Sequence, residues 1–136
     1  MHAEIVLRMK KLFVFALMAL TFAACQESLE ERAAREAETY TRKNCPAKIS
    51  ETVIMDSMTF EKETRTLHYY YTLTGVADSL GVDNKDEARS SLLAALKNNT
   101  ALAGFKEEGF NFAYTYHSQK SPQTLHFETV FKKGDY

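Results

Sequence analysis

Residues 67–73, Leu67-His68-Tyr69-Tyr70-Tyr71-Thr72-Leu73, decide how this chain is read. Leu67, Tyr69, Tyr71 and Leu73 alternate with His68, Tyr70 and Thr72, and in an extended backbone successive side chains point to opposite faces. The stretch is therefore a strand with one heavily apolar face. The same period of two returns downstream. Phe110, Phe112, Tyr114 and Tyr116 alternate with Asn111, Ala113, Thr115 and His117, and Leu125, Phe127, Thr129 and Phe131 with His126, Glu128, Val130 and Lys132. Ser118 to Gln123, with Pro122, reads as the turn between these two strands. Upstream, Ile49 to Met58 is extended with Ile49, Val53 and Met55 on one parity, and Phe60 to Arg65 is the hairpin connection or a strand end. Thr66-Leu67-His68-Tyr69 echoes Thr124-Leu125-His126-Phe127, which fits a duplication and equally two independent one-sided strands.

Two helices complete the pattern. Over Leu29 to Lys43, Ala33, Ala37 and Tyr40 follow Leu29 at helical spacing, and Glu31/Arg35 and Glu38/Arg42 are i,i+4 pairs of favourable orientation. This stripe is thin and rich in alanine, so the helix is expected to lie loosely on the domain or to serve as a spacer. Asn44-Cys45-Pro46 ends it, because proline disfavours helix in the residue before it. Gly75 to Gly81 reads as a loop. Asp83 or Asn84 then caps a second helix running to about Lys97, with Ala88, Leu92, Ala95 and Leu96 inward. Asn98-Asn99-Thr100 breaks it, and a short helical turn follows through Phe105 before Gly109. The expected fold is α+β: a four-stranded antiparallel sheet, order α-β-β-α-β-β, with helices packed on its aromatic face.

Ahead of this domain, Met9-Lys10-Lys11 opens a run from Leu12 to Phe22 that is apolar apart from Thr21. The run is too short to span a bilayer, which takes about 20 residues, but it suits a secretory signal. Phe22-Ala23-Ala24-Cys25 resembles a lipobox. By that resemblance residues 1–24 are a signal peptide, with Met9 the better initiator, and Cys25 is the lipid-bearing first residue of a mature domain over 25–136. A diacylglycerol thioether on Cys25 Sγ and a further acyl (palmitate-type) chain anchor a protein durably where one chain is marginal. Gln26 rather than Asp after the cysteine favours the outer membrane. The mature residues hold 14 Lys and Arg against 17 Asp and Glu, a net charge of −3, and no basic run breaks that balance. A nucleic-acid partner is thereby excluded.

The residues that carry chemistry are few. Cys45 is the single mature cysteine left after lipidation, so it forms no intramolecular disulfide, and its place before Pro46 suits a buried, unreactive thiol. No G-x-S-x-G, H-E-x-x-H, P-loop or dinucleotide fingerprint occurs. His68, His117 and His126 lie opposite the aromatic rows, and Glu128 shares a face with His126. Two imidazoles and a carboxylate can hold zinc, but each histidine is on a different strand, and solvated outer-face histidines give the same pattern. Asp83, Asp86 and Glu87 are explained by helix capping and first-turn acids. Asp83-Asn84-Lys85-Asp86 lacks the glycine and distal glutamate of a calcium loop. Tyr69, Tyr71, Tyr114 and Tyr116 belong to the core, whereas Tyr70 points the other way.

From Asn44 onward the chain is similar to a group of small bacterial exported or lipid-anchored α+β proteins of unassigned function. Asn44 and Pro46, Ile49, Asp56-Ser57, Leu67-x-Tyr69-x-Tyr71-Thr72-Leu73, Gly109 and Tyr114-x-Tyr116 carry the likeness, which covers nearly all of the mature domain. Such relatives can carry cysteines in their second half; this chain has none there. The resemblance implies a fold and an envelope location and brings no catalytic residue. The functional expectation is an envelope lipoprotein that is not an enzyme and takes no cofactor or metal. It binds an envelope protein or polymer through a face bearing His68, Tyr70 and His126. The rival expectation is a small-molecule or metal-binding module. A filled core favours the first, a deep pocket among the aromatics the second.

Overall fold

The computed structural model describes residues 26–136, so the segment read as a signal peptide and Cys25 lie outside the described residues. The first helix, α1 (Leu29–Asn44), opens on a reciprocal cap. The Glu31 N–H donates to Ser28 Oγ (3.1 Å), and the Ser28 N–H donates back to Glu31 Oε2 (3.3 Å). With Glu31 so used, Arg35 turns to Glu27 rather than to its i−4 neighbour, at 2.7 and 2.9 Å. The expected loose packing is corrected. Ala33 and Ala37 are fully buried against the core, because methyl-sized side chains let the helix axis approach the sheet closely.

Five strands follow rather than four: β1 (Ala47–Ser50), β2 (Val53–Glu61), β3 (Thr66–Leu73), β4 (Asn111–Ser118) and β5 (Leu125–Phe131). The extended stretch beginning at Ile49 is broken at Glu51-Thr52 into β1 and β2, and Ile49 is exposed. Spatial order equals chain order, and all neighbours are antiparallel except β3 and β4, which are parallel. The expected all-antiparallel sheet is thus corrected to a mixed one. Between β3 and β4 run α2 (Gly75–Leu80), α3 (Lys85–Asn98), a 3₁₀ turn (Thr100–Leu102) and α4 (Ala103–Glu107). A crossover of this kind carries the chain back to the end where β3 began, so β4 repeats its direction. The segment read as a loop contains α2, a short helix with no side-chain cap, held by tertiary contacts.

Parallel pairing sets the two aromatic rows side by side: Leu67 faces Phe112, Tyr69 faces Tyr114 and Tyr71 faces Tyr116. The tyrosine rings stack at 5.1 and 4.6 Å between centroids. In β2 a bulge at Asp56 shifts the register, since Met55 pairs with Tyr71 and Ser57 already with Tyr70. Met58 and Phe60 therefore share the inner face with Met55 despite opposite parity. Phe110, Phe112, Phe131, Leu67 and Leu96 are completely buried and join Ala33, Ala37, Phe105 and Tyr114 in one core between this face and α1, α3 and α4.

Candidate functional site

The outer face of the sheet carries a polar chain that crosses four strands. His68 on β3 donates from Nδ1 to Glu61 Oε1 on β2 (2.5 Å), and its Nε2 stands 2.6 Å from Thr115 Oγ1 on β4. Thr115 donates in turn to Glu128 Oε2 on β5 (2.7 Å). Tyr70 stacks on the His68 ring at 4.0 Å, with its hydroxyl 3.1 Å from Nδ1. Burial, and then the Glu61 carboxylate, push the Tyr70 phenol above its ordinary value, so it stays neutral. The His68 side chain is only 13% exposed, which corrects its reading as a solvated histidine. Both ring nitrogens have protein partners, so this chain of contacts ties strands together and offers no open ligand position.

His126 does not join that face. His117 pairs with Leu125 and Tyr116 with Phe127, which leaves His126 in a bulge, outside the alternation. Its Nε2–H donates to Asp78 Oδ1 (2.8 Å) on α2, and Asp78 Oδ2 also accepts from the Lys120 N–H (3.0 Å). Hydrogen bonds from Ser118, His126 and the Lys120 backbone hold the Asp78 carboxyl down at about 2. The Asp78 side chain is almost wholly buried, so the pair pins α2 to the β4–β5 hairpin. Gly81 (φ +70°) lets the backbone pass here, because a Cβ would lie 3.3 Å from His126 Nδ1. Of the residues read as one face, His68 and Tyr70 meet and His126 serves a separate clamp. His117 Nδ1 is buried without a partner among the described residues. Cys45 is half-buried, and burial followed by the Asp56 charge pushes its thiol up. In the acidic loop Asn84, not Asp83, caps α3, its Oδ1 accepting from the Glu87 N–H (3.0 Å).

A site that periodicity did not single out lies between α1 and β2. Ala34, Ala37, Glu38, Thr41 and Arg42 form one wall and Met58, Thr59 and Phe60 the other, around an open, largely apolar groove of about 420 Å³. β1 covers β2 only over Val53–Met55, so residues 57–61 form a strand edge without a strand partner among the described residues. Thr41 Oγ1 satisfies that edge at Met58, accepting from its N–H (2.9 Å) and donating to its carbonyl (2.8 Å). Backbone groups in an antiparallel strand alternate sides, so Phe60 turns its N–H and C=O to the same edge. The signal for this groove was the run of alanines on α1, which leaves room beside the strand. A smaller groove of about 260 Å³ lies under α3 between Leu73, Val82, Leu92, Tyr116 and Phe127.

Solved structures share this architecture. A protein from Pseudomonas aeruginosa described as secreted superposes with a TM-score of 0.64 at 19% identity, covering 81% of this chain and 98% of its own. The type II secretion pilotin EpsS of Vibrio vulnificus gives 0.62 at 11% identity, over 79% and 90% of the two chains. The type II secretion system pilotin AspS of Vibrio cholerae gives 0.60 at 13%, over 85% and 98%. At these identities the likeness is one of fold alone. No curated protein matches the chain in sequence. A family pattern does match it, over residues 28–127. By that match the chain belongs to the family described as domain of unknown function DUF8479.

Proposed function

We propose that the mature chain is a non-enzymatic outer-membrane lipoprotein, anchored through Cys25, that holds a short segment of a partner polypeptide in the groove between α1 and β2. The observation that carries this reading is the groove itself, an apolar cleft beside an uncovered strand edge. An extended segment can place an apolar side chain between Ala34 and Phe60 and exchange backbone hydrogen bonds with Phe60, as added strands do. Glu38 and Arg42 at one end of the α1 wall give the groove a charged flank. The filled core supports a partner surface over a ligand cavity: Phe110, Phe112 and Phe131 are completely buried, and the grooves beside α1 and under α3 are open ones. Two structures of the same fold are pilotins of type II secretion systems, and on that likeness the partner is a component of an envelope export or assembly machine.

The test is site-specific crosslinking in the native envelope. A photoreactive residue replacing Glu38 should crosslink one defined protein, and Ala34→Lys, an exposed change that fills the groove, should abolish the adduct while leaving the melting temperature unchanged. The same probe replacing Glu87 on α3 should give no such adduct. Equal crosslinking from Glu38 with and without Ala34→Lys would sink the groove as the binding site.

A further inference from the structure

We propose that the domain stands directly on the bilayer, on the end built from the β2–β3 hairpin and α4, and points its α2 end away from the membrane. The inference rests on lipidation at Cys25 as proposed above, and adds which surface faces the lipid. The chain is held to α1 almost from its mature start. Glu27 gives both carboxylate oxygens to Arg35 (2.7 and 2.9 Å), and Ser28 closes the capping box. Only Gln26 separates Glu27 from the lipid-bearing cysteine. Each residue spans at most about 3.3–3.6 Å, so Ser28 lies within about 10 Å of Cys25. Among the described residues, only Gln26 precedes these contacts, which leaves the domain little length in which to tumble.

The contacts of the first turn of α1 then name the membrane-facing end. Glu30 pairs with Arg65 of the hairpin (3.0 Å), Arg32 lies over the Phe105 ring of α4 (5.6 Å), and Arg65 donates to the Glu108 carbonyl (3.2 Å). At the opposite end the Thr74 N–H donates to the Thr52 carbonyl, the Gln119 N–H to the Leu73 carbonyl, and Lys120 to Asp78. The 16 residues of α1 run from one end towards the other, and a rise of 1.5 Å per residue sets the two ends about 24 Å apart. The lipid-facing end mixes Lys62, Lys132 and Lys133 with Glu63, Glu107 and Glu108. Val76 and Leu80, exposed by 68 and 67%, are at the far end. Neither a basic patch nor an apolar wedge draws the near end down; the short tether alone imposes the orientation, and salt should not disturb it.

The experiment uses the full lipid-bearing protein in vesicles containing a headgroup-chelated nickel lipid, with Cys45→Ala as background. Spin labels at Glu63→Cys and Lys132→Cys report one end, labels at Leu80→Cys and Gln123→Cys the other. Relaxation enhancement should be several-fold stronger for the first pair, at low and high salt alike. Inserting a Gly/Ser linker of about 12 residues after Gln26 should erase the contrast. Acylated protein with equal or reversed enhancements overturns the orientation alone, as does a contrast that vanishes in high salt or survives the linker. Intact mass measured on the same sample separates the two failures: a Cys25 without acyl chains removes the anchor, and the orientation with it.

Discussion

Asp78 shows how one residue acquires a role that its local sequence does not announce. In Gly75-Val76-Ala77-Asp78 it looks like a loop carboxylate. Folded, it is almost wholly buried and accepts hydrogen bonds from His126 and the Lys120 backbone. Its carboxyl is held at about 2 against an ordinary 3.8. A folded-state value below the unfolded one means that its contribution is fully present above about pH 4 and is lost as pH falls towards 2. Asp78→Asn should therefore lower stability near neutrality and flatten the acid limb of the stability curve between pH 4 and 2, measured by urea denaturation at stepped pH. An unchanged acid limb in the variant would remove the ionised clamp. His68 makes the same point on the outer face, where four strands share one chain of polar contacts through a single imidazole.

At the scale of elements, the notable pairing is of helix α1 with the edge of β2. Open strand edges invite unwanted pairing, and proteins blunt them. Here Thr41 covers Met58 on both backbone groups. On β5, Arg89 reaches the Thr129 hydroxyl and the Val130 carbonyl (3.3 Å) while lying over the Phe131 ring (4.4 Å). Thr41→Val keeps the shape and β-branching of the side chain but strands a part-buried N–H and C=O. Loss of such a partner costs about 1–3 kcal/mol, and a drop in the denaturation midpoint of that size is expected, whereas Thr41→Ser should retain most of the stability. If the valine variant is as stable as the parent, water reaches the edge and the threonine is not its cap. The alanines of α1 belong to the same account: Ala33 and Ala37 bring the helix down onto the sheet, and Ala34 leaves the groove open beside it.

For the molecule as a whole, the core lies on one side of the sheet and the polar chain on the other. On the proposed lipidation, the acyl chains on Cys25 determine where the domain works. Cys25→Ser should release the chain from membranes or block its processing, while Cys45→Ser should leave membrane association unchanged, as read by fractionation and intact mass. A mature protein that begins elsewhere and carries no acyl chain would end the lipoprotein reading and leave the fold and the groove standing.

The strand rows at 67–73, 111–117 and 127–131 and the helix from Leu29 were legible in the sequence, as was a cap at Asp83 or Asn84, of which the structure uses Asn84, because periodicity and capping are local properties of the chain. Leu125, read as inward, is exposed beyond the bulge. The α+β class, with helices on the aromatic face, was legible too. The direction of β4 was not, since parallel and antiparallel neighbours show the same alternation and only the path of the crossover chooses between them. Nor were the bulges at Asp56 and His126, each of which exchanges faces by the insertion of one residue. That single step decided that His126 clamps α2 rather than joining His68 and Tyr70, and that Met58 and Phe60 turn inward. The groove, too, was a product of tertiary structure: it exists because β1 stops short and the alanines of α1 leave room beside the uncovered edge of β2.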